Sequence, residues 1–299
     1  MKKLGVSTSG YAHDCTISDY MHRIKKAGYD SVDFDLFDYY DLIMHPDWMS
    51  WAEDVCTATL VAGLTVGQTH AQLGLFSNPD LSYEPPPEIF YRNLKICYLL
   101  GCKEIVFHPV FLAAVVETED LYEKLVDYNV RWFKELIEPA KKLGVHISIE
   151  NTADARPQIL SAPFTRATDM MELIDRIGEP TFGICLDTGH AHIMSQDIPG
   201  MIRMFCKRLR TLHLNDNLGA ITPVHPDQHL FPGAGTIDFP SIFDALKCIN
   251  FTGVINLEPG EFLTRLPVDV RDAAMMGGAL VARAYVDEAF DLCPPIIRF

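Results

Sequence analysis

The chain alternates short apolar runs with longer stretches in which apolar residues recur every three to four positions. Runs of β type occupy Leu4 to Ser7, Ser31 to Phe34, Thr65 to Thr69, Glu104 to Phe107, His146 to Ile149, Phe182 to Leu186, Thr211 to Leu214 and Val254 to Leu257. A helical pattern follows each of them. It is clearest in Leu121 to Leu143, where Leu121, Leu125, Val126, Val130, Phe133, Leu136 and Ile137 mark one face before a stop at Gly144. Further helices are expected at 17–27, 51–62, 87–100, 168–177, 198–208, 239–248 and 266–289. Eight strand–helix repeats predict an α/β fold, the (β/α)8 TIM barrel, as one domain over 1–299.

The punctuation between elements agrees with that reading. Gly28, Gly63, Gly101, Gly144 and Gly253 each fall just before a strand, where a left-handed glycine would close the preceding helix. No low-complexity linker or charge block divides the chain.

Composition narrows the partners. The 299 residues are 48% hydrophobic, and 40 Asp+Glu against 25 Lys+Arg give a formal charge of −15. Such a surface repels polyanions, which argues against nucleic acid and favours small or neutral substrates. The eight cysteines form no CxxC pair, and several lie inside apolar runs, as reduced thiols of a cytoplasmic protein would. The start, MKKLGVSTSGYAHD, lacks the apolar stretch of a signal peptide, and no run is long enough to span a bilayer. A homo-oligomer is left open.

The chemistry clusters at one point of the repeat, the carboxyl end of the strands, where a barrel carries its active site. Successive runs end at His70, His108, Glu150, Asp187, His213 and Glu258, and the adjoining loops add His190, Asp227 and His229. An isolated His or Glu at a strand end usually bonds only its own loop. Here, however, seven of the eleven histidines (70, 108, 190, 192, 213, 225 and 229) fall at strand ends or in the loops after them, which coincidence explains poorly. No basic residue adjoins Glu150, Asp187, His213 or Glu258 in sequence, so converging carboxylates would repel one another without a cation. A divalent ion, Mn²⁺, Mg²⁺, Co²⁺ or Zn²⁺, is the expected cofactor, and additional histidine ligands would favour Zn²⁺.

On these residues the chain resembles the xylose isomerase-like TIM-barrel superfamily. The matching pieces are Phe107-His108-Pro109, Ile149-Glu150-Asn151, Asp187-Thr188-Gly189-His190-Ala191-His192, His213-Leu214-Asn215-Asp216, the stretch from Asp227 to Asp238 and Leu257-Glu258-Pro259. The resemblance implies a sugar, polyol or keto-acid isomerase or epimerase acting by proton transfer through a metal-stabilised enediolate. Glu150, Asp187, His213 and Glu258 would hold the metal, and Glu150 and Glu258 would move the proton. His70, His108, His190, Asp227 and His229 would bind further metal or substrate. The arginine that binds substrate after the seventh strand in ketose 3-epimerases has no counterpart in 217–229. The superfamily also includes endonuclease IV, whose nine zinc ligands all have matches here, so an abasic-site phosphodiesterase is the rival reading. A related dehydratase and a non-catalytic ligand-binding barrel are further alternatives. The segment Asp33 to Asp41 reads as an acidic aromatic loop that a phosphate backbone would avoid and whose rings suit a sugar, or else pack the loop.

Overall fold

The computed structural model describes residues 2–11, 15–73, 76–78, 81–112, 121–153, 163–219 and 227–290. Its barrel strands are β1 (Leu4–Ser7), β2 (Ser31–Asp35), β3 (Thr65–His70), β4 (Glu104–Phe107), β5 (His146–Glu150), β6 (Phe182–Asp187), β7 (Leu209–His213) and β8 (Ile255–Leu257), and two short strands, Phe76–Ser77 and Phe111–Leu112, pair apart from them. The barrel strands form one parallel sheet in the order β8-β1-β2-β3-β4-β5-β6-β7. A parallel bridge between Leu214 and Leu257 joins the last edge to the first, with the Leu214 amide donating to the Asn256 carbonyl at 2.9 Å. The sheet is therefore a (β/α)8 barrel, as the eight repeats predict.

The outer helices are α1 (Ile17–Lys26), α2 (Trp48–Val61), α3 (Glu88–Leu99), α4 (Leu121–Lys134), α5 (Ala167–Ile177), α6 (Ile198–Phe205), α7 (Phe239–Cys248) and α8 (Val268–Phe290). They bury one face each, as amphipathic elements around a sheet must. In α1, the Thr16 side chain accepts from the Asp19 amide at the N-cap while Tyr20, Met21 and Ile24 turn inward. Between β4 and its helices, Phe107 packs edge-on against Phe133, whose ring lies 6.1 Å away, and against Trp132. Each such side chain contributes about 1.5–3 kcal/mol on burial.

Three expectations need correction. The helix expected over Leu121 to Leu143 is two helices, α4 and a second at Ile137–Leu143. The chain tightens between them, with Leu136 N–H bonding the Phe133 carbonyl, because Pro139 has no N–H for a bond to Glu135 and its ring would clash there. The strand expected at Thr211 starts two residues earlier, at Leu209. Gly28, Gly63, Gly101 and Gly144 have positive φ as expected, but Gly253 does not, and Asn250 (φ 52°) takes the left-handed position after α7. Gly253 is constrained instead by space, since a Cβ there would lie 2.6 Å from the Arg210 carbonyl oxygen.

Among the described residues the cysteines 15, 56, 97, 102, 185, 206 and 248 are free thiols, with Cys206 and Cys248 exposed rather than in the core. Cys293 lies outside the described residues. Among those residues no helix is long and apolar enough to cross a membrane.

Two register irregularities fall just below the carboxyl ends of the strands, at Val32/Asp33 against β3 and at Ile184/Cys185 against β7. Bulges of this kind re-aim neighbouring side chains. Replacing Gly253 with Ala is expected to destabilise the fold by about 1–3 kcal/mol, because the close backbone must move. Denaturant unfolding of G253A beside the parent measures it, and unchanged stability would show that the Arg210 backbone yields freely.

Candidate metal centre at the barrel mouth

His70, Glu150, Asp187 and His213 are the last residues of β3, β5, β6 and β7, and His108 and Glu258 follow β4 and β8 directly. Closure of the sheet brings these ends together. His190 lies on the short helix Thr188–Ile193, which Asp187 caps by accepting the His190 amide at 2.7 Å. Asp227 and His229 lie on the loop after β7, which is shaped by Asp216. The buried Asp216 carboxylate accepts four backbone N–H groups, from Asn217 (2.8 Å), Gly233 (2.9 Å), Gly235 (2.8 Å) and Ile237 (3.1 Å). A paired bridge to Leu230 completes the anchor.

The nine side chains fall into three groups, in each of which the ligand atoms lie within 4.8 Å of one another, the first two sharing Glu150. They are Glu150 with Asp187, His213 and Glu258; His70 with His108 and Glu150; and His190 with Asp227 and His229. Glu150 joins the first two, its Oε2 lying 3.1 Å from His213 Nδ1 and 3.2 Å from both His70 Nε2 and His108 Nε2. Asp227 Oδ2 joins His190 Nε2 (3.1 Å) to His229 Nε2 (2.8 Å).

The imidazoles are oriented from behind. His70 Nδ1 meets the Ala71 carbonyl (2.9 Å), His190 Nδ1 the Asn151 carbonyl (3.0 Å) and His229 Nδ1 the Glu258 carbonyl (3.0 Å). A carbonyl only accepts, so each ring carries a proton on Nδ1. Nε2 faces Glu150 from His70 and Asp227 from His190 and His229, while Nδ1 of His190 and of His229 also lies 3.4 Å from Glu150 Oε1 and 3.3 Å from Glu258 Oε2 respectively. His213 is reversed, with Nε2 bonded to Asp33 Oδ2 at 2.9 Å and Nδ1 facing Glu150 and Glu258. Its Nδ1 is buried yet makes no hydrogen bond, and Asp227 Oδ1 is likewise unsatisfied. Four carboxylates, five imidazoles and orphaned donor atoms suit a divalent ion with mixed N and O ligands.

The electrostatics of the cluster follow from burial and from the mutual proximity of its imidazoles and carboxylates. Burial works against a charged His213, but Cys185, Glu150 and Glu258 around it raise its basicity well above that of free imidazole. His190 and His229 are raised in the same way, the first by Asp187 and Asp227, the second by Asp227 and Glu258, each against the opposing cost of burial. Burial also acts to raise the Glu258 carboxyl, yet the neighbouring His213 and His229 bring it down to about 2. Asp187 goes the other way, to about 7, since burial and the negative Glu258 and Glu150 outweigh His190.

Of the histidines noted at strand ends, His192 is not in the cluster; it bonds Thr236 Oγ1 at 2.9 Å, and His225 lies outside the described residues. The Asp33 to Asp41 segment is only partly a loop. Asp33 and Asp35 belong to β2 and are fully buried, and Leu36–Tyr39 forms a 3-10 turn running into a helix at Tyr40–Met44. Tyr39 stacks on Phe34 at 5.5 Å in the core, whereas Phe37 stands edge-on to His70 at 5.3 Å. The ring is thus divided between packing and site. Sequence reasoning missed Asp33, Asp35 and Asn215, although the Ser-Val-Asp-Phe-Asp alternation puts both aspartates on one face of a strand. Asn215 Nδ2 donates to Asp187 Oδ2 (2.7 Å) and Glu258 Oε2 (3.3 Å). Cys185 was also missed as a neighbour of Glu150 and His213; burial pushes its thiol up to about 12.

A (β/α)8 barrel with clustered imidazole and carboxylate donors at the carboxyl ends of its strands is the class that this fold and site define. Over residues 21–273 the chain matches the family described as Xylose isomerase-like TIM barrel, and it belongs to that family. It is 26% identical to the inosose isomerase of Bacillus velezensis over 225 residues, covering 73% of this chain and 76% of that protein. A ketose 3-epimerase of Arthrobacter globiformis is 21% identical over 254 residues, 80% of this chain and 75% of the epimerase. With the inosose isomerase of Bacillus subtilis the match spans 58% of the relative's length. Among solved structures, D-psicose 3-epimerase from Clostridium cellulolyticum H10 shares the fold with a TM-score of 0.73 at 18% identity, over 95% of this chain and 99% of that one. An IolI protein solved with a zinc atom has a TM-score of 0.71 at 20% identity, over 97% and 100%.

Metal ligation needs the imidazole lone pairs that protons hold in the ion-free protein. Because neighbouring carboxylates make His190, His213 and His229 more basic than usual, an incoming metal must compete with protons for them, and its affinity is expected to fall as pH falls. Adding Zn²⁺ or Mn²⁺ to metal-free protein at pH 7 is expected to release about one proton or more. Titration calorimetry in buffers of different ionisation enthalpy reads this directly; a buffer-independent heat would contradict it.

Proposed function

We propose that the chain is a divalent-metal-dependent isomerase or epimerase of a sugar or polyol, with the metal on Glu150, Asp187, His213 and Glu258 and with Glu150 and Glu258 moving the proton. The observation that carries this reading is the four-ligand group itself, in which two glutamates from opposite parts of the barrel share one histidine, at 3.1 Å and 3.5 Å from its Nδ1. A divalent ion bound there would polarise a substrate carbonyl and its neighbouring hydroxyl. The relatives named isomerase and epimerase support the same reaction class, and the free thiols fit a cytoplasmic location.

The chain's own groups account for the proton. Glu258, brought down to about 2, and Glu150, held well below the usual carboxylate range by His213 and His108 despite its burial, are both ionised at neutral pH. Each can accept a carbon-bound proton. For isomerisation the carboxylate that has taken the proton becomes an acid and returns it to the adjacent carbon. For epimerisation the second glutamate, on the other face, delivers to the same carbon a proton drawn from solvent, while the first releases its own to solvent, so the proton count balances. Asn215, donating to Asp187 and Glu258, holds those carboxylates in register. Phe37 beside His70 and Phe111 beside His108 offer apolar edges to a sugar's C–H face.

Assembly of all nine residues also favours the phosphodiesterase reading, but the charge at this end of the barrel opposes it. The connections from the eight strands to α1–α8 carry sixteen Asp or Glu against three Lys or Arg, whereas the rest of the chain carries twenty-four against twenty-two. Of the three, Arg166 pairs with Asp169, Arg265 has a partner of its own, and Arg156 lies outside the described residues. One divalent ion leaves such a face negative, so an uncharged substrate is favoured over a phosphorylated one.

Two outcomes are expected. E150Q and E258Q should each slow exchange of solvent deuterium into the substrate carbon by about 10²–10⁴-fold while the protein stays folded; followed by NMR over a panel of ketoses and inososes, no exchange with the parent protein would sink the isomerase reading. For any ketose that is turned over, kcat/KM should exceed that of its phosphate ester by about tenfold or more at low salt, the gap narrowing as salt screens the field. An ester turned over faster would contradict the uncharged-substrate assignment.

A further inference from the structure

Among the buried carboxylates of the described residues near the barrel mouth that lie outside the nine, Asp33 is the one bonded to a member of the four-ligand group. Asp33, fully buried on β2, accepts three hydrogen bonds on a single oxygen: Oδ2 takes Gln68 Nε2 at 2.7 Å, His213 Nε2 at 2.9 Å and Asn256 Nδ2 at 3.2 Å. Side chains from β3, β7 and β8 thus converge on one atom supplied by β2. A buried aspartate held only by neutral amides and an imidazole is expensive unless it serves a charge nearby. The nearest such role is at the other end of the imidazole.

Oδ2 accepts the amide hydrogens of Gln68 and Asn256 and is thus an acceptor atom, so the proton of that 2.9 Å bond belongs to His213 Nε2. Nδ1 is then the atom left to ligate a metal that displaces its proton, and it is this buried atom that faces Glu150 and Glu258 without a hydrogen bond. His70, His190 and His229 are each oriented by a backbone carbonyl, with Nε2 forward. His213 alone of these four turns Nδ1 forward and has its rear nitrogen hydrogen-bonded to a side-chain carboxyl oxygen. A charged acceptor makes the stronger bond and a more basic ligand.

We propose that Asp33 is a positioning residue of the metal centre: it fixes His213 in the Nε2–H tautomer and orientation, so that Nδ1 is the ligand atom shared with Glu150, Asp187 and Glu258. The assignment rests on the metal reading above and is independent of the reaction. Parent protein that binds metal but exchanges no deuterium would remove the isomerase reading and leave Asp33 its role.

Metal-free protein titrated with Zn²⁺ or Mn²⁺ against a chromophoric chelator tests it. D33N is expected to weaken binding about 10–100-fold. Q68L, which removes another donor to the same oxygen but keeps the His213 bond, is expected to change it by less than about threefold, so a loss common to both variants would mark a merely structural role and overturn the proposal. D33N binding as tightly as the parent overturns it too. Should D33N fail to fold, ¹⁵N NMR of the Zn²⁺-loaded parent decides: His213 Nδ1 shifting on loading while Nε2 stays protonated is the expected result, and metal at Nε2 is the contrary one.

Discussion

Four carboxylates and five imidazoles converge at the buried mouth of the barrel, and the local structure is arranged around the charge that this convergence demands. Glu150 is the pivot, lying within 3.2 Å of His70, His108 and His213 at once. Without an ion, protons on the histidines balance the set: His190, His213 and His229 are driven to hold theirs, while Glu150 and Glu258 are driven to give theirs up. A divalent cation held there would do the same work with fewer compromises, because it would satisfy several acceptors simultaneously and give the orphaned His213 Nδ1 a partner.

Around that centre the chain provides supports of different strength. Backbone carbonyls turn three imidazoles, a buried carboxylate turns the fourth, and Asp216 gathers four amides to shape the loop that carries Asp227 and His229. Such supports matter because a ligand misplaced by an ångström binds poorly, and rigid elements hold geometry better than loops do. Gly235 illustrates the cost of this economy of space: a Cβ there would lie 2.4 Å from Asp216 Oδ1, so the turn beneath the Asp227–His229 segment admits nothing larger than glycine.

The barrel was legible because its evidence is periodic and local. Eight apolar runs, their helices and the strand-end positions of His70, His108, Glu150, Asp187, His213 and Glu258 follow from patterns along the chain, and the structure differs at boundaries by a few residues. Part of what escaped depends on the far side of the barrel, and part on backbone detail that apolar spacing does not report. Asp33 looked like part of an acidic loop because its partner His213 is 180 positions away. Pro139 splits a helix whose apolar spacing runs unbroken across it. Gly253 carries the same local signature as Gly144, yet one needs a left-handed backbone and the other only room beside Arg210. His192 shares the strand-end location of the site histidines but points to Thr236.

The central claim, that the cluster is a metal centre, is tested most directly by counting metal. Protein stripped with a chelator, reloaded with Mn²⁺ or Zn²⁺, freed of excess and analysed by elemental mass spectrometry should retain at least one equivalent per chain, with anomalous diffraction locating it among Glu150, Asp187, His213 and Glu258. Folded protein that retains no stoichiometric metal, or holds it away from these four residues, would contradict the account.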